Sequence, residues 1–182
     1  MVIPKEVKNV IDKLKKAHFE AFIVGGCVRD FLLASPKFNE GGRDTEPEDW
    51  DIATNAKPEE IQKVFPDSFY ENNFLTVTVR TKSKNLKLQE IEITTYRLEA
   101  KYSDKRHPDS VKYADTIQED LGRRDFTVNA MAIGLKSQIL NPKPQTNSKF
   151  KTLNSELVLV NLFDGQKDLK NKIIKTVGNP EE

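Results

Sequence analysis

Apolar residues recur at helical spacing near the start of the chain. Val7, Val10, Ile11 and Leu14 alternate with lysines and other polar residues, so a helix formed here has one apolar side and one charged side. The pattern predicts an amphipathic helix over residues 4–17 that packs against one side of a sheet.

A short apolar run follows and ends at two glycines. Residues 21–24 are all apolar, Gly25 and Gly26 interrupt the run, and a helical pattern begins at Val28. An apolar run of this length favours a buried strand, and paired glycines favour a tight turn. We therefore expect a strand, a turn and a helix in that order.

Two later segments alternate between apolar and polar residues. The alternation covers residues 75–80 and continues over residues 87–96, which predicts an antiparallel hairpin. Residues 49–54 also have strand character, and residues 157–163 include a further apolar strand. Together these patterns predict an α/β fold, with a small mixed or antiparallel sheet flanked by helices and with residues 49–54 on a central strand.

Short helices are predicted at two further places. Residues 57–64 open with a lysine and a proline, which suits the first turn of a helix. Thr116 and Glu119 have the spacing of a capping box, and the helix that they start is expected to end near Gly122.

Three polar segments are predicted to lack regular structure. Residues 96–115 are crowded with charge and predict an irregular loop, either beside a polar ligand or simply in solvent. Residues 35–48 and 138–155 are rich in proline and polar side chains, which predicts surface loops.

Composition narrows the chemistry. With 182 residues and 37% hydrophobic residues the chain can form a packed core, and a net charge of +1 is too small to indicate nucleic-acid binding. A single cysteine, Cys27, excludes an internal disulfide, and two histidines leave little imidazole chemistry.

No apolar stretch approaches the roughly 20 residues that span a bilayer, and the N-terminus does not resemble a signal peptide. We expect a cytoplasmic protein, without membrane contact, whose chemistry is carried by carboxylates and arginines.

The glycine turn is a candidate anion site. Backbone at Gly25 and Gly26 has no Cβ to keep a ligand away, and free N–H groups at the start of the following helix attract negative charge. Arg29 in the first helical turn adds a bidentate donor for a phosphate. An ordinary turn between a strand and a helix explains the same residues.

Two aspartates form a candidate metal site. Asp49 and Asp51 lie two residues apart, so on a strand their carboxylates leave the same face. Two carboxylates this close repel unless a cation lies between them, and their hard oxygens suit Mg²⁺ or Mn²⁺. Glu92 on the predicted hairpin is a candidate third carboxylate. Solvated aspartates and an exposed strand glutamate are the alternatives.

A third cluster combines two arginines with an acid and an amide. Arg123 and Arg124 supply donors for phosphate, while Asp125 and Asn129 supply acceptors and donors for ribose hydroxyls or a base edge. An ion-pair cluster on a helix surface is the alternative.

Six segments in one order along the chain together resemble a known family. They are residues 25–30 (GGCVRD), 49–51 (DWD), 92–97 (EITTYR), 102–108 (YSDKRHP), 119–121 (EDL) and 123–130 (RRDFTVNA). The ordered set is similar to that of the class II tRNA nucleotidyltransferases and bacterial poly(A) polymerases, of the polymerase-β-like nucleotidyltransferase superfamily.

The resemblance implies a role for each candidate residue. The two catalytic metals, Mg²⁺ or Mn²⁺, would be bound by Asp49 and Asp51. The incoming ATP or CTP would be bound by Gly25, Gly26, Arg29, Asp30, Arg123, Arg124, Asp125 and Asn129. Contacts to the nucleotide or the primer would come from Arg97, Arg106 and His107.

The resemblance also implies a domain organisation. A catalytic head over residues 1–160 would be followed by the start of a hinge over residues 161–182. The family's hinge motif of Asp, Gly and Arg corresponds to Asn161, Gly165 and Lys175, which weakens an expected Asp–Arg ion pair. We expect the chain to be a catalytic head alone, because the neck that selects C or A would lie beyond it, as would the domains that grip tRNA.

Two classes of function remain. The first is metal-dependent transfer of a nucleoside monophosphate to an RNA 3′ end, as CCA addition to tRNA or as poly(A) addition. The second is a nucleotide-binding or partner-binding module without catalysis. The presence of both aspartates favours the first.

Overall fold

A computed structural model describes residues 2–35, 47–71, 75–102, 108–136 and 149–179. The α-helices are α1 (Lys5–Lys16), α2 (Gly26–Leu33), α3 (Pro58–Val64), α4 (Ile117–Gly122) and α5 (Gly165–Asn171). The strands are β1 (Phe22–Val24), β2 (Asp51–Thr54), β3 (Ser68–Glu71), β4 (Thr76–Arg80), β5 (Glu90–Thr95), β6 (Arg97–Tyr102), β7 (Pro108–Tyr113), β8 (Met131–Leu135), β9 (Phe150–Thr152) and β10 (Leu157–Asn161). Short 3₁₀ helices cover Leu86–Leu88 and Thr127–Asn129.

An eight-stranded sheet in the order β3-β4-β5-β2-β1-β8-β10-β9 is the centre of the fold. Strands β2 and β5 are parallel, and every other neighbouring pair in this sheet is antiparallel. The predicted mixed α/β fold is therefore confirmed, with β2 in a central position.

The predicted amphipathic helix is confirmed as α1. It buries Val7, Val10, Ile11 and Leu14, the four residues whose spacing predicted it. The antiparallel hairpin is confirmed as β4 and β5, which are joined through the 3₁₀ helix Leu86–Leu88. Burial follows the sequence pattern in α1 and in β5, whereas β4 also buries its polar positions Thr76 and Thr78.

The capping box at the start of α4 is also confirmed. The Thr116 hydroxyl accepts a hydrogen bond from the Glu119 N–H (3.3 Å), and the Glu119 carboxylate accepts one from the Thr116 N–H (3.1 Å). None of the helices in the described ranges is long and apolar enough to cross a membrane.

Two predictions about irregular segments are wrong. Residues 97–102 and 108–113 form a separate antiparallel ribbon, β6 and β7, where an irregular loop was expected. Residues 150–152, expected within a surface loop, pair with β10 as the edge strand β9. Leu98 and Tyr113 in the ribbon and Lys151 and Thr152 in β9 are exposed, so these positions give no alternation of buried and exposed residues. The rest of the two predicted surface loops falls mostly on residues 36–46 and 137–148, outside the described residues.

The two faces of the sheet support separate apolar clusters. Helices α1, α2 and α3 pack on one face against residues such as Ile23, Ile52 and Ile93. On the other face, α4 contributes Ile117 and Leu121 to a smaller cluster. This second face of the sheet extends across β5 and β4 to the edge strand β3.

A single line of paired residues crosses that second face. Its members, from one edge of the sheet to the other, are Phe69, Thr78, Glu92, Asp51, Val24, Ala132, Val160 and Phe150. Residues paired in this way point to the same face of a sheet. Asp51 thus lies where the apolar part of the line meets its polar part.

Candidate active site

A cavity of about 400 Å³ opens beside the carboxyl end of β1. Its lining comes from the glycine turn, the adjacent strands β2 and β5, and the segment that follows α4. Most of the residues predicted from the sequence are brought together here: Gly25, Gly26, Asp51, Glu92, Arg97, Arg123, Arg124, Asp125 and Asn129.

The glycine turn brings the backbone close to two charged groups of the cavity, Arg124 and Asp51. Gly25 has a φ of +79°, a conformation that L side chains rarely adopt. A Cβ at this position would lie 3.1 Å from Arg124 Nη1 and 3.3 Å from Asp51 Oδ2. A glycine is therefore required both by the turn and by the close approach.

Asp51 is the first residue of β2 and is paired with Glu92 on the parallel strand β5. Asp49 lies in a bend before β2, so the predicted strand starts two residues later than its aspartates suggested. A second cavity of about 330 Å³ is lined by Asp49, Asp51 and Glu92 among others. Asp51 and Glu92 therefore border both cavities.

Burial and charge act together on Asp51. Burial raises the pKa of Asp51, the Arg124 guanidinium opposes that rise, and the negative charge of Asp49 adds to it. The two aspartates are thus close enough to interact electrostatically, and a bound cation would offset both the burial and the repulsion.

The donor set fits a hard divalent cation of the Mg²⁺ type. Within the described ranges, no group of three or more His, Cys, Asp or Glu side chains is arranged to hold a metal ion. Magnesium in nucleotide enzymes commonly takes only one or two carboxylates and completes its shell with phosphate oxygens and water. Asp49 and Asp51 meet that requirement, while Glu92 as a third ligand stays a prediction.

Arg123 and Arg124 are held by one buried acid on α4. Asp120 forms ion pairs with Arg123 Nη2 at 3.0 Å and with Arg124 Nη2 at 3.3 Å. The side chains of the two arginines are only 13% and 18% exposed. The cationic side of the cavity is therefore ordered by contacts inside the protein.

Arg29 forms hydrogen bonds with Asp30 and Asn129 and does not line the cavity. Its guanidinium donates two hydrogen bonds to the Asp30 carboxylate, at 2.8 and 3.2 Å, and one to Asn129 Oδ1 at 3.0 Å. Arg29 and Asp30 do not line the cavity, but they fix the side chain of Asn129, which does.

The remaining predicted contacts are divided between two regions. Arg97 lines the cavity as the first residue of β6, at the base of the β6–β7 ribbon. Arg106 and His107 lie outside the described residues.

Two acidic residues with clear contacts were not among the predicted site residues. Asp120 directly follows the capping box. In the sequence it is only an acid three and four residues before Arg123 and Arg124, which is the usual spacing of ion pairs on a helix surface. Asp168 on α5 accepts a 2.7 Å hydrogen bond from the Thr127 hydroxyl, next to Asn129. Its 41-residue separation from Thr127 leaves no local signal in the sequence.

The mixed sheet, the glycine turn and Asp51 at the start of a central strand are the features of a head domain of the nucleotidyltransferase class. The chain belongs to the poly A polymerase head domain family, which matches residues 21–175. The family resemblance inferred from the six sequence segments is thus confirmed.

Curated relatives and solved structures agree with this placement. The CCA-adding enzyme of Ligilactobacillus salivarius (strain UCC118) is 40% identical over 186 residues, which is 99% of this chain and 37% of the relative. The CCA-adding enzyme of Enterococcus faecalis (strain ATCC 700802 / V583) is 37% identical over 181 residues, 98% of this chain and 36% of the relative. The chain therefore spans little more than a third of these relatives.

A Bacillus stearothermophilus CCA-adding enzyme in complex with CTP is similar in structure, with a TM-score of 0.66 and 28% identity. The match covers 97% of this chain and 34% of that one. A tRNA nucleotidyltransferase complexed with a primer tRNA and an incoming ATP analog gives a TM-score of 0.58 at 26% identity, over 92% of this chain and 38% of that one.

Proposed function

We propose that this chain binds ATP and CTP and carries the catalytic residues for transfer of a nucleoside monophosphate to an RNA 3′ end. The observation that supports this most directly is the shared cavity, in which Asp51 faces the Arg124 guanidinium across the Gly25 turn. An acidic group for a metal and a cationic group for phosphates lie within one site.

Each part of the cavity has a task in this proposal. Arg123 and Arg124 bind the triphosphate, and the turn at Gly25 allows the phosphates to approach the backbone. Asp125 and Asn129 orient the ribose through hydrogen bonds. Precise placement of the α-phosphate is a large part of catalysis in phosphoryl and nucleotidyl transfer.

Asp49 and Asp51 are the residues that would hold Mg²⁺, with Mn²⁺ as a substitute and Glu92 as a third candidate. When bound, such ions lower the pKa of the attacking 3′-hydroxyl and stabilise the pyrophosphate leaving group. The carboxylates lie on one side of the cavity and the arginines on the other, which separates the metal side of the proposed site from its phosphate side.

CCA addition to tRNA is the form of the reaction that we favour. The curated relatives described above are named CCA-adding enzymes, and one structural neighbour was solved with CTP. Poly(A) addition is the alternative, since the family carries the poly A polymerase name. Base choice and most of the grip on tRNA are assigned to parts of a longer enzyme, because this chain spans about a third of its relatives.

A module that binds nucleotides without catalysis is the competing function. Such a module has no need for two interacting carboxylates, and the cost of burying Asp51 beside Asp49 is explained by a metal role. The two proposals differ in whether this site extends an RNA 3′ end, while the dependence of nucleotide binding on a divalent cation tests the metal role of Asp49 and Asp51.

The test is calorimetric titration of this chain with ATP and with CTP, with and without Mg²⁺. We expect binding that requires Mg²⁺, that is lost in Asp51→Asn and Asp49→Ala, and that is similar for the two nucleotides. Asp67→Asn is the matched control, because Asp67 is exposed and does not line the cavity. Equal binding without metal, or binding unchanged in Asp51→Asn, would contradict the proposal.

A second experiment separates catalysis from nucleotide binding without catalysis. The chain is incubated with an RNA hairpin that ends in a single-stranded 3′ tail, with labelled CTP or ATP and Mg²⁺. Extension by either nucleotide that Asp51→Asn abolishes supports catalysis by this site. Metal-dependent binding without extension, even when the remaining enzyme segments are supplied separately, supports the non-catalytic module.

A further inference from the structure

Asp120 is a buried carboxylate with four donors around it. It is 1% exposed. Its Oδ1 accepts hydrogen bonds from the Arg97 N–H (3.3 Å) and from Nε (3.1 Å) and Nη2 (3.0 Å) of Arg123. Its Oδ2 accepts one from Arg124 Nη2 (3.3 Å). One side chain thus connects Arg123 and Arg124 to Arg97, the first residue of β6.

These contacts oppose a repulsion between the arginines. Arg123 and Arg124 are neighbours in sequence, both are largely buried, and both carry a fixed positive charge. Without an acid between them, two guanidiniums would turn away from each other or toward solvent. Asp120 holds them side by side, at the wall of the cavity that Gly25 and Asp51 also form.

We propose that Asp120 is a positioning residue that presets the two arginines to receive a nucleoside triphosphate. The proposal rests on the proposed function of the cavity. Arginines that are already immobilised lose less side-chain freedom when a ligand binds, so the binding affinity is higher. The hydrogen bond to the Arg97 N–H extends the same restraint to the base of the β6–β7 ribbon.

Positioning and simple charge balance predict opposite results for Asp120→Asn. The substitution removes a negative charge from the neighbourhood of the phosphates, so electrostatics alone predicts tighter binding of ATP. Loss of positioning predicts weaker binding, because the Asn amide cannot accept hydrogen bonds at both atoms. We expect the Kd for Mg²⁺-ATP to rise about tenfold or more, the loss typical of hydrogen bonds to charged groups.

Glu119→Gln is the matched control on the same helix. Glu119 caps α4 through Thr116, and among the described residues it is not paired with Arg123 or Arg124 by a hydrogen bond or an ion pair. This variant weakens the helix cap but leaves the arginine contacts in place, so it should keep the parent affinity for ATP. A similar loss of affinity in both variants would show a merely structural role and would overturn the proposal.

A second measurement uses the parent chain alone and so does not depend on the folding of a variant. In ¹H–¹⁵N spectra without nucleotide, the Arg123 Nε–H should give a distinct signal that exchanges slowly with water, because it is bonded to buried Asp120. An averaged, rapidly exchanging Arg123 signal would overturn the proposal. So would an unchanged or lowered Kd in folded Asp120→Asn.

The outcome also distinguishes this inference from the proposed function. If the parent binds neither ATP nor CTP with Mg²⁺, the proposed function fails, and a role of Asp120 in nucleotide affinity fails with it. If the parent binds and Asp120→Asn binds equally well, only the positioning role is refuted.

Discussion

Gly165 is the position where one added carbon atom should have the largest effect on the fold and the site together. It is the first residue of α5 and faces the backbone of the 3₁₀ helix Thr127–Asn129. A Cβ at Gly165 would lie 2.0 Å from Thr127 O, 2.7 Å from Thr127 C and 3.1 Å from Met131 Cγ. Ordinary contacts begin at 3.4 Å, so Gly165→Ala must separate the two helices by more than an ångström.

The expected cost follows from this overlap. Overpacking of a well-packed site costs about 1–3 kcal/mol and occasionally more. For a chain of this length that corresponds to a fall in Tm of roughly 2–12 °C. Because the clash involves backbone atoms that cannot rotate away, we expect the upper half of this range.

The displacement should also reach the cavity. Thr127 is held by Asp168 through its hydroxyl (2.7 Å) and by the Lys175 carbonyl through its N–H (2.9 Å). Moving this segment shifts Asn129, which lines the cavity two residues further on. An error of about 1 Å in a positioned group can reduce catalysis on the order of a hundredfold, so nucleotide affinity and transfer should both fall.

Differential scanning fluorimetry and ATP titration of Gly165→Ala check both expectations. The control is Gly122→Ala at the end of α4, where a Cβ would meet only Phe163 Cζ at 3.7 Å, an ordinary contact. That variant should keep the parent Tm and affinity. A Gly165→Ala protein with a Tm within about 1 °C of the parent and with unchanged ATP binding would refute the reasoning.

Three further predictions concern single side chains. Since burial raises the pKa of Asp51, its ionised form is disfavoured by folding, and stability falls as the pH rises through the raised pKa. Asp51→Asn should therefore have a higher Tm than the parent at pH 7, and the difference should disappear at pH values below the usual aspartate pKa. Burial raises the pKa of the Cys27 thiol to about 12, so Ellman's reagent at pH 8 should react with it only after unfolding in guanidinium. Thr116→Ala removes the cap of α4 and should lower the free energy of unfolding in urea by about 0.5–2 kcal/mol, whereas an unchanged midpoint would contradict the importance of that cap.

The parts of the fold that were predicted correctly are those in which burial leaves a local pattern. Helix α1 shows its four buried residues at helical spacing, and α4 shows its cap in Thr116 and Glu119. In both cases the residues that decide the structure are near each other in sequence. The parallel pairing of β2 with β5 joins residues about forty positions apart, and no local pattern specifies it.

The β6–β7 ribbon shows why strands in polar segments were not predicted. Leu98 and Tyr113, at its base, are 37% and 47% exposed. Its strands pair with each other and not with the main sheet, so backbone hydrogen bonds between the two strands hold the ribbon together. A sequence crowded with charges can form such a ribbon without any alternation that would predict it.

The candidate site was predictable in its residues but not in its contacts. The structure places Arg123 and Arg124, both predicted as site residues, in one cavity with Asp51. Their dependence on Asp120 was missed, because an acid three and four residues before an arginine usually forms a weak surface pair. Only tertiary packing makes this acid 1% exposed. The same holds for Arg29, whose partner Asn129 is a hundred residues away.

The line of paired residues across the sheet explains why the site forms at Asp51 and not at another position. On one side of Asp51 the line continues into Val24 and Ala132, which are buried beneath the cluster that α4 supports. On the other side it continues into Glu92, which is exposed. A carboxylate at this boundary is desolvated enough for its pKa to rise, yet it still borders two open cavities. A residue one position further into the apolar part would be cut off from ligands, and one further out would be solvated. The position of Asp51 next to the covered part of the sheet therefore leaves its partly desolvated carboxylate open to both cavities.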